Sequence, residues 1–234
     1  MIEASLLRFD LLAEDCLLIS WPQKIDFEIV MEVRALSEYL NSLTEVLETV
    51  PAYASLAVYF DMMNCTSQHI QSLVLNNVSA LKTQDLQAKT WVIPVCYDRT
   101  FGLDHDRFWE QCKIDISQII ELHTGQSFTV YMRGFQPGFL YLGTLPKELN
   151  LPRLENPRSK VEAGSVGIAN DQTGIYPLES PGGWNIIGRT PIKLFDLDNT
   201  DPTPIKQGDK VRFEPIDLLA YHSLKAESHV PTIA

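Results

Sequence analysis

Basic residues are scarce in this 234-residue sequence: 19 Lys and Arg against 30 Asp and Glu leave a net charge of −11. Nucleic acid and anionic membrane both require a basic footprint, so neither is an expected partner, although a local basic pocket for a small anion remains compatible. No window approaches the roughly 18 consecutive apolar residues of a membrane-spanning helix. The opening MIEASLLRFD has neither a basic n-region nor a long apolar run, so it does not read as a signal peptide and a cytoplasmic location is expected. Cys16, Cys65, Cys96 and Cys112 are widely spaced, with no CxxC and no flanking histidine pairs. That argues against a zinc site or a disulfide framework, and for buried reduced thiols. A GxxxxGK(S/T) phosphate loop is absent. So is a GxSxG elbow, and Ser180 in ESPGG lacks the strand-turn-helix setting such a nucleophile needs. What is present is a globular composition, 45% hydrophobic with a mean hydropathy of −0.05, long enough for one large domain or two modest ones.

Residues 1–86 read as an α+β domain. Ser5–Phe9 and Cys16–Trp21 are short apolar runs suited to strands, with Glu14 and Asp15 near the turn between them. Ile29, Val33, Leu36, Leu40, Leu43 and Leu47 recur at helical spacing and predict an amphipathic helix, with Asp26 as N-cap and Glu28 at the positive end of the dipole. The end of that stripe, Leu43–Val50, also reads as a strand leading to Pro51. Leu56, Val58 and Phe60 alternate as a strand, and Ile70, Leu73, Val74, Val78 and Leu81 give a second helix capped by Thr66 or Ser67. The order β-β-α-β-β-α fits a ferredoxin-like α/β sandwich, with two helices on one face of an antiparallel sheet. The polar segment Lys82–Lys89 reads as the boundary.

Residues 87–234 change character. Trp91–Tyr97, Phe128–Met132, Ser165–Ala169, Gly174–Tyr176, Trp184–Gly188, Ile192–Phe195 and Lys210–Phe213 are short strand-like runs. Two short helices are expected over Asp104–Cys112 and Ser117–His123, the second capped by Ser117 or Asp115. This spacing predicts a closed or partly closed β-barrel, with a loose tail from Lys225.

Glycine, proline, arginine and aromatic residues concentrate in Gly134–Asp196. Arg153 and Arg158 sit beside prolines in LPRLENPRSK, and Arg189 follows glycine in IIGRTP. A guanidinium beside a rigid turn is a fork fixed in space, suited to carboxylate or phosphate. Gly182 and Gly183, after Pro181, leave N–H groups unobstructed for an anion nest. The structural alternative pairs the three arginines with Glu155, Glu162 and Asp196. Taken together beside PGG they favour a site, and Arg153, Arg158 and Arg189 are its candidate catalytic residues. Gln136 and Gln172, each next to a turn, can orient a substrate amide through donor and acceptor together. Phe135, Tyr141, Tyr176 and Trp184, like Phe139, read individually as core or turn packing before ligand stacking. That makes Gln136 and Gln172 the better pocket candidates, and the first four aromatics are kept in the candidate substrate-binding set. Pro137, Gly138 and Ser180 complete the candidate substrate-binding set. His105, between Asp104 and Asp106, reads as a solvated helix start rather than a metal ligand. His123 reads as a cationic or hydrogen-bonded imidazole at a helix C-terminus. No metal site is expected.

The motifs GFQPGFLYLGTLP, PRLENPRSKVEAGSVGIANDQTGIYP and SPGGWNIIGRTPIKLFD, in this order and spacing, resemble the PxpB/KipI family, also called allophanate hydrolase subunit 1. VPAYASLAVYFD, WVIPVCYD and IIELHT match it as well, so the resemblance covers nearly the whole chain. It implies a small N-terminal α/β domain followed by a cyclophilin-like β-barrel carrying the signature. It also implies an activity: PxpB-type subunits act with PxpC-type and PxpA-type subunits as an ATP-dependent 5-oxoprolinase, opening the lactam 5-oxo-L-proline to L-glutamate. ATP with Mg²⁺ would be a co-substrate rather than a tightly bound cofactor, and the subunit alone would be inactive. Lactam hydrolysis is uphill without coupling, so ATP would phosphorylate the amide oxygen. Positioned arginines and N–H groups would stabilise the phosphoryl charge and the substrate carboxylate. The family also implies two other roles, inhibition of a sensor histidine kinase in the KipI manner and membership of an allophanate- or urea-metabolising hydrolase. The sequence departs from the family pattern at Arg99 and Leu103, at Glu162 in place of proline and at Asn170 in place of glycine. Asparagine tolerates a left-handed backbone, so the turn at Asn170 is expected to survive.

Overall fold

The computed structural model describes residues 4–81, 87–227 and 231–233. The chain divides into two compact units, residues 1–87 and 88–234. Most of the anticipated boundary segment Lys82–Lys89 lies outside the described residues.

In the first unit β1 (Arg8–Ala13) and β2 (Cys16–Ser20) form a hairpin, followed by α1 (Phe27–Leu40). A second hairpin of β3 (Val46–Pro51) and β4 (Ser55–Phe60) precedes α2 (Ser67–Asn77). The sheet runs β1-β2-β4-β3, with every neighbouring pair antiparallel. β2, α1 and β3 therefore make a split β-α-β unit with β4 between its parallel strands, a ferredoxin-like core, and β1 occupies the outer edge. Both anticipated caps form: Asp26 Oδ1 accepts the Glu28 N–H at 2.9 Å, and Thr66 Oγ1 accepts the His69 N–H at 3.2 Å. Ile29, Val33, Leu36 and Leu40 join Ile70 and Val74 in one core over the sheet. The apolar stripe outruns the helix, which stops at Leu40. Leu47 belongs to β3, where a bulge between Val46 and Glu48 leaves it 66% exposed. The first strand also starts late, at Arg8, after a short 3₁₀ turn.

The second unit holds β5 (Thr90–Cys96), α3 (His105–Cys112), α4 (Ile116–Thr124), β6 (Ser127–Arg133) and β7 (Leu140–Gly143). There follow β8 (Arg158–Val161), β9 (Ser165–Ala169), β10 (Gln172–Ile175), β11 (Ser180–Gly182) and β12 (Asn185–Arg189), then β13 (Lys210–Ile216), α5 (Leu218–Ala226) and β14 (Thr232–Ile233). Seven strands close as β12-β9-β10-β7-β6-β13-β5, with β5 returning to β12. Neighbours are antiparallel except β13 and β5. Closure rests on one pair, Arg189 opposite Cys96; Trp91 and Val92 of β5 pair instead with β14. Among the described residues β8 and β11 pair only with each other, as a two-stranded flap.

Two expectations are corrected here. The stretch after Lys225 is not wholly a tail, because α5 runs to Ala226 and β14 extends the sheet; residues 228–230 lie outside the described residues. Ile192–Phe195 is not a strand. Pro191 supplies no ladder N–H, and the Ile192 N–H turns back to Thr190 Oγ1 at 3.2 Å, while Ile192 and Leu194 still bury in the barrel core.

Inside the barrel lies His123, fully buried and stacked on Phe213 at 4.3 Å. The Thr173 hydroxyl donates to Gly167 O (3.1 Å), so it accepts from His123 Nε2–H (2.8 Å), which leaves Nδ1 to accept the Tyr97 hydroxyl (2.7 Å). Burial pushes the imidazole pKa down to about 3. His123 is therefore neutral and hydrogen-bonded, not cationic, because the cost of burying a charge outweighs the helix dipole.

Candidate functional site

The outward face of the same barrel strands carries a separate apolar cluster of Phe139, Val161, Ala169, Tyr176, Trp184 and Ile186. Its floor depends on two glycines standing opposite each other in the β9–β10 register, Gly167 and Gly174. A Cβ on Gly174 would lie 2.7 Å from Leu140 O and 2.9 Å from Trp184 Cζ3; one on Gly167 would lie 3.0 Å from Trp184 Cβ. Bare backbone is what lets the indole lie against the barrel wall. Phe139 meets Tyr176 and Trp184 edge-on, with centroids at 5.1 and 5.5 Å.

Between this floor and the β8–β11 flap is a cleft of about 480 Å³. Its lining is Phe135, Phe139, Tyr141, Arg153, Pro157, Ala169, Asn170, Gln172, Tyr176, Pro181, Gly182, Gly183 and Trp184. The flap lies directly on Tyr176, since a Cβ on Gly182 would collide with the Tyr176 hydroxyl and ring. The Leu154 N–H donates to Gly183 O at 2.8 Å, which ties the arginine-bearing turn to the flap.

Of the candidate residues, Phe135, Tyr141, Arg153, Gln172, Tyr176, Gly182, Gly183 and Trp184 meet in the cleft. Arg153 is exposed and has no ion pair among the described residues. Its Nη2 is 3.6 Å from where a Gly183 Cβ would sit. Burial pushes the Tyr141 and Tyr176 phenols up, and the Arg153 charge offsets this only in part, so both are protonated donors. Asn170 opens the β9–β10 turn at φ +53, the left-handed backbone anticipated for it, and lines the cleft.

The three guanidiniums do not converge. Arg158 donates from Nη2 to Asp104 Oδ1 at 2.6 Å and does not line the cleft. Arg189 lies over the Phe101 ring at 4.9 Å, and its backbone closes the barrel. The acidic pairings fail too: Glu162 bonds Lys160 and Asp196 bonds Lys193. Gly182 is strand, and neither it nor Gly183 has positive φ, so PGG forms no alternating nest. Gln136, Pro137 and Gly138 lie in the turn that carries Phe135, where the Phe139 N–H donates to Gln136 O at 3.0 Å. Gly138, at φ +83, packs against Leu194 O. Ser180 opens β11 outside the lining, with Oγ buried and unpartnered.

His105 is not a solvated helix start. It is buried and donates from Nε2 to Ile187 O at 2.8 Å, and burial lowers its pKa. Among the described residues no group of His, Cys, Asp and Glu is arranged to hold a metal ion, and no helix is long and apolar enough to cross a membrane. The cysteines are free, and burial pushes the thiols of Cys65, Cys96 and Cys112 up.

A split β-α-β unit followed by a seven-stranded barrel defines a carboxyltransferase-type subdomain pair, and the family model for the carboxyltransferase domain, subdomains C and D, matches residues 7–205. The chain is 33% identical to the B subunit of 5-oxoprolinase from Bacillus subtilis, across 95% of this chain and 98% of that one. It is 37% identical to the corresponding 5-oxoprolinase B subunit of Haemophilus influenzae, across 86% and 94%. The crystal structure of TTHA0988 matches with a TM-score of 0.78 at 30% identity, covering 88% of this chain but only 40% of that one. The chain belongs to the PxpB family, the B subunits of 5-oxoprolinase.

Proposed function

We propose that this chain is the lactam-holding subunit of an ATP-dependent 5-oxoprolinase that works with PxpC-type and PxpA-type subunits in the cytoplasm. One observation carries the reading: a small cleft with aromatic walls and a single guanidinium, Arg153, that is engaged in no ion pair among the described residues. A compact lactam ring fits against Trp184, Tyr176 and Phe139, with its carboxylate on Arg153. Gln172 and the two phenols offer both donors and acceptors to the ring amide.

The same lining contains no Ser, Cys, His, Asp or Glu, and so no nucleophile-base pair. A triphosphate needs several cations or a run of aligned N–H donors, and the cleft presents one guanidinium. ATP with Mg²⁺ is therefore assigned as a co-substrate to a surface supplied by a partner subunit. The γ-phosphoryl group passes to the lactam oxygen, releasing ADP. Water then adds at the activated carbon, the ring C–N bond breaks with the nitrogen taking up a proton, and a second water cleaves the resulting acyl phosphate to give glutamate and phosphate. This chain binds and orients the lactam, and is inactive alone.

Reconstitution with PxpC- and PxpA-type partners tests the reading. Glutamate formation from 5-oxo-L-proline should require ATP and this chain together. Activity no higher than that of the partners alone would overturn it.

A further inference from the structure

The carboxylate of Asp104 bonds to the two strands that flank the cleft, β12 and the flap strand β8. Its residue lies just ahead of α3, and its side chain is only 7% exposed. The Asp104 N–H donates to Ile186 O at 3.0 Å, and Oδ2 accepts the Ile186 N–H at 2.6 Å, a two-bond lock on β12. Next to it, His105 holds Ile187 O. The other oxygen, Oδ1, accepts from Arg158 Nη2 at 2.6 Å. Arg158 opens the flap strand β8, where it pairs with Gly182 of the cleft lining. β12 begins one residue after Trp184, the floor of the cleft. A single buried charge thus joins floor to flap.

The flap is otherwise held by packing, with Val161 buried in the outer cluster and Gly182 seated on Tyr176, and by no other buried ion pair among the described residues. It is a two-stranded ribbon whose register slips between Ser180 and Gly182, and such ribbons are marginal alone. The bridges from Lys160 to Glu162 and Glu179 are solvent-exposed and contribute little. A half-buried guanidinium such as Arg158, by contrast, depends on its partner.

We infer that Asp104 is a positioning residue that acts through Arg158: it fixes the β8–β11 flap over Trp184 and so sets the affinity of the cleft for its small anionic ligand. The ligand half of this statement rests on the 5-oxoproline reading; the anchoring half does not.

Hydrogen–deuterium exchange on the full chain, alongside calorimetric titration with 5-oxo-L-proline, separates the two. Asp104→Asn keeps an acceptor for Ile186 but turns an amide N–H toward the guanidinium. Exchange over residues 158–161 and 180–183 should rise by about tenfold or more, with β6 and β13 unchanged. Affinity should weaken by about tenfold or more, because the pocket is no longer pre-formed. Arg158→Gln added to Asp104→Asn restores a neutral hydrogen bond and should recover most of both losses. Arg158→Lys, which keeps the charge but loses the fork, should show the same localised change at smaller size, and stands in if Asp104→Asn does not fold. Faster exchange spread evenly over the barrel, or a double variant no better than the single, would overturn the anchoring role. Localised exchange with no 5-oxoproline binding by the unaltered chain would uphold the anchor and overturn the ligand assignment. Localised exchange with unchanged affinity would overturn the link between flap and ligand.

Discussion

The inner and outer faces of β9, β10 and β12 are made by neighbouring residues of the same strands, yet they are built differently. Facing inward, Val166, Ile168, Ile175 and Ile187 are branched aliphatic side chains that fill volume at crystal-like density. On the outside, Gly167, Gly174 and Ala169 are small, so the Trp184 and Tyr176 rings lie close to the backbone and leave an open cleft beside them. The inner face needs volume, and several aliphatic combinations supply it. The outer face needs a shape, and a single methyl group can spoil it. Inner changes should therefore leave the site intact, and outer changes should cost the site whatever they do to stability.

The largest effect that sharpens this contrast is expected at Gly174. Gly174→Val forces carbon into space already 2.7 Å from Leu140 O, and should cost about 3 kcal/mol or more while abolishing ligand binding. Its inner counterpart, Ile168→Val, should cost about 0.5–1.5 kcal/mol and leave ligand affinity unchanged. Denaturant melts and calorimetry on the two variants check this, and equal losses of affinity would erase the distinction between the faces.

The next effect belongs to the interior alone. His123 has a folded pKa of about 3 against an ordinary value near 6.5, so the folded state binds fewer protons than the unfolded state between those limits. Stability from this group is fully present above about pH 6.5 and is lost as pH falls toward 3, by up to roughly 1.4 kcal/mol per pH unit. Denaturant unfolding of the barrel at stepped pH should show that slope, and His123→Gln should flatten it.

Arg153→Ala is the converse case, with effects confined to the site. Removing a charge-assisted contact should weaken 5-oxo-L-proline binding by about 10- to 100-fold, with Arg153→Lys in between. The melting temperature should not move, because Arg153 is exposed and pairs with no acid among the described residues.

A smaller effect is expected at the rim. Phe135 is 62% exposed and held at φ +68, a backbone that bulky side chains adopt at a cost. Phe135→Asn should stabilise by about 0.5 kcal/mol and weaken ligand binding a few-fold, since the left-handed turn persists while the aromatic rim is lost. A stability loss would show that the Phe135 ring, which meets Phe139 at 5.6 Å, contributes more than the strain costs.

Much of the fold was legible because local rules and tertiary demands agree. The Ile29–Leu40 stripe with its Asp26 cap, the β9–β10 hairpin turning on Asn170 and the Asp115 cap of α4 are each written in a short window. α5 was not, since only Tyr221 of that helix is buried and its face shows little periodicity. Nor were β8 and β11, short segments that among the described residues pair with each other and not with the barrel strands. Composition located the cleft, because glycine, proline and aromatic residues are what an open wall requires. It misled on Arg158 and Arg189, since closeness in sequence is not convergence in space. Asp104, the partner of Arg158, lies 54 residues upstream, beyond any window. Gly167 and Gly174 left a faint signal, a glycine in the outward register of each of two short strands, that becomes readable only once their mutual register is known.

On the proposed reading, the outer wall of the barrel holds a small carboxylate-bearing lactam on Arg153. Calorimetric titration of the full chain with 5-oxo-L-proline, in parallel with Arg153→Ala, tests it most directly. One saturable site is expected that needs no ATP and that weakens by about 10- to 100-fold in the variant. No binding, or binding indifferent to Arg153, would contradict it.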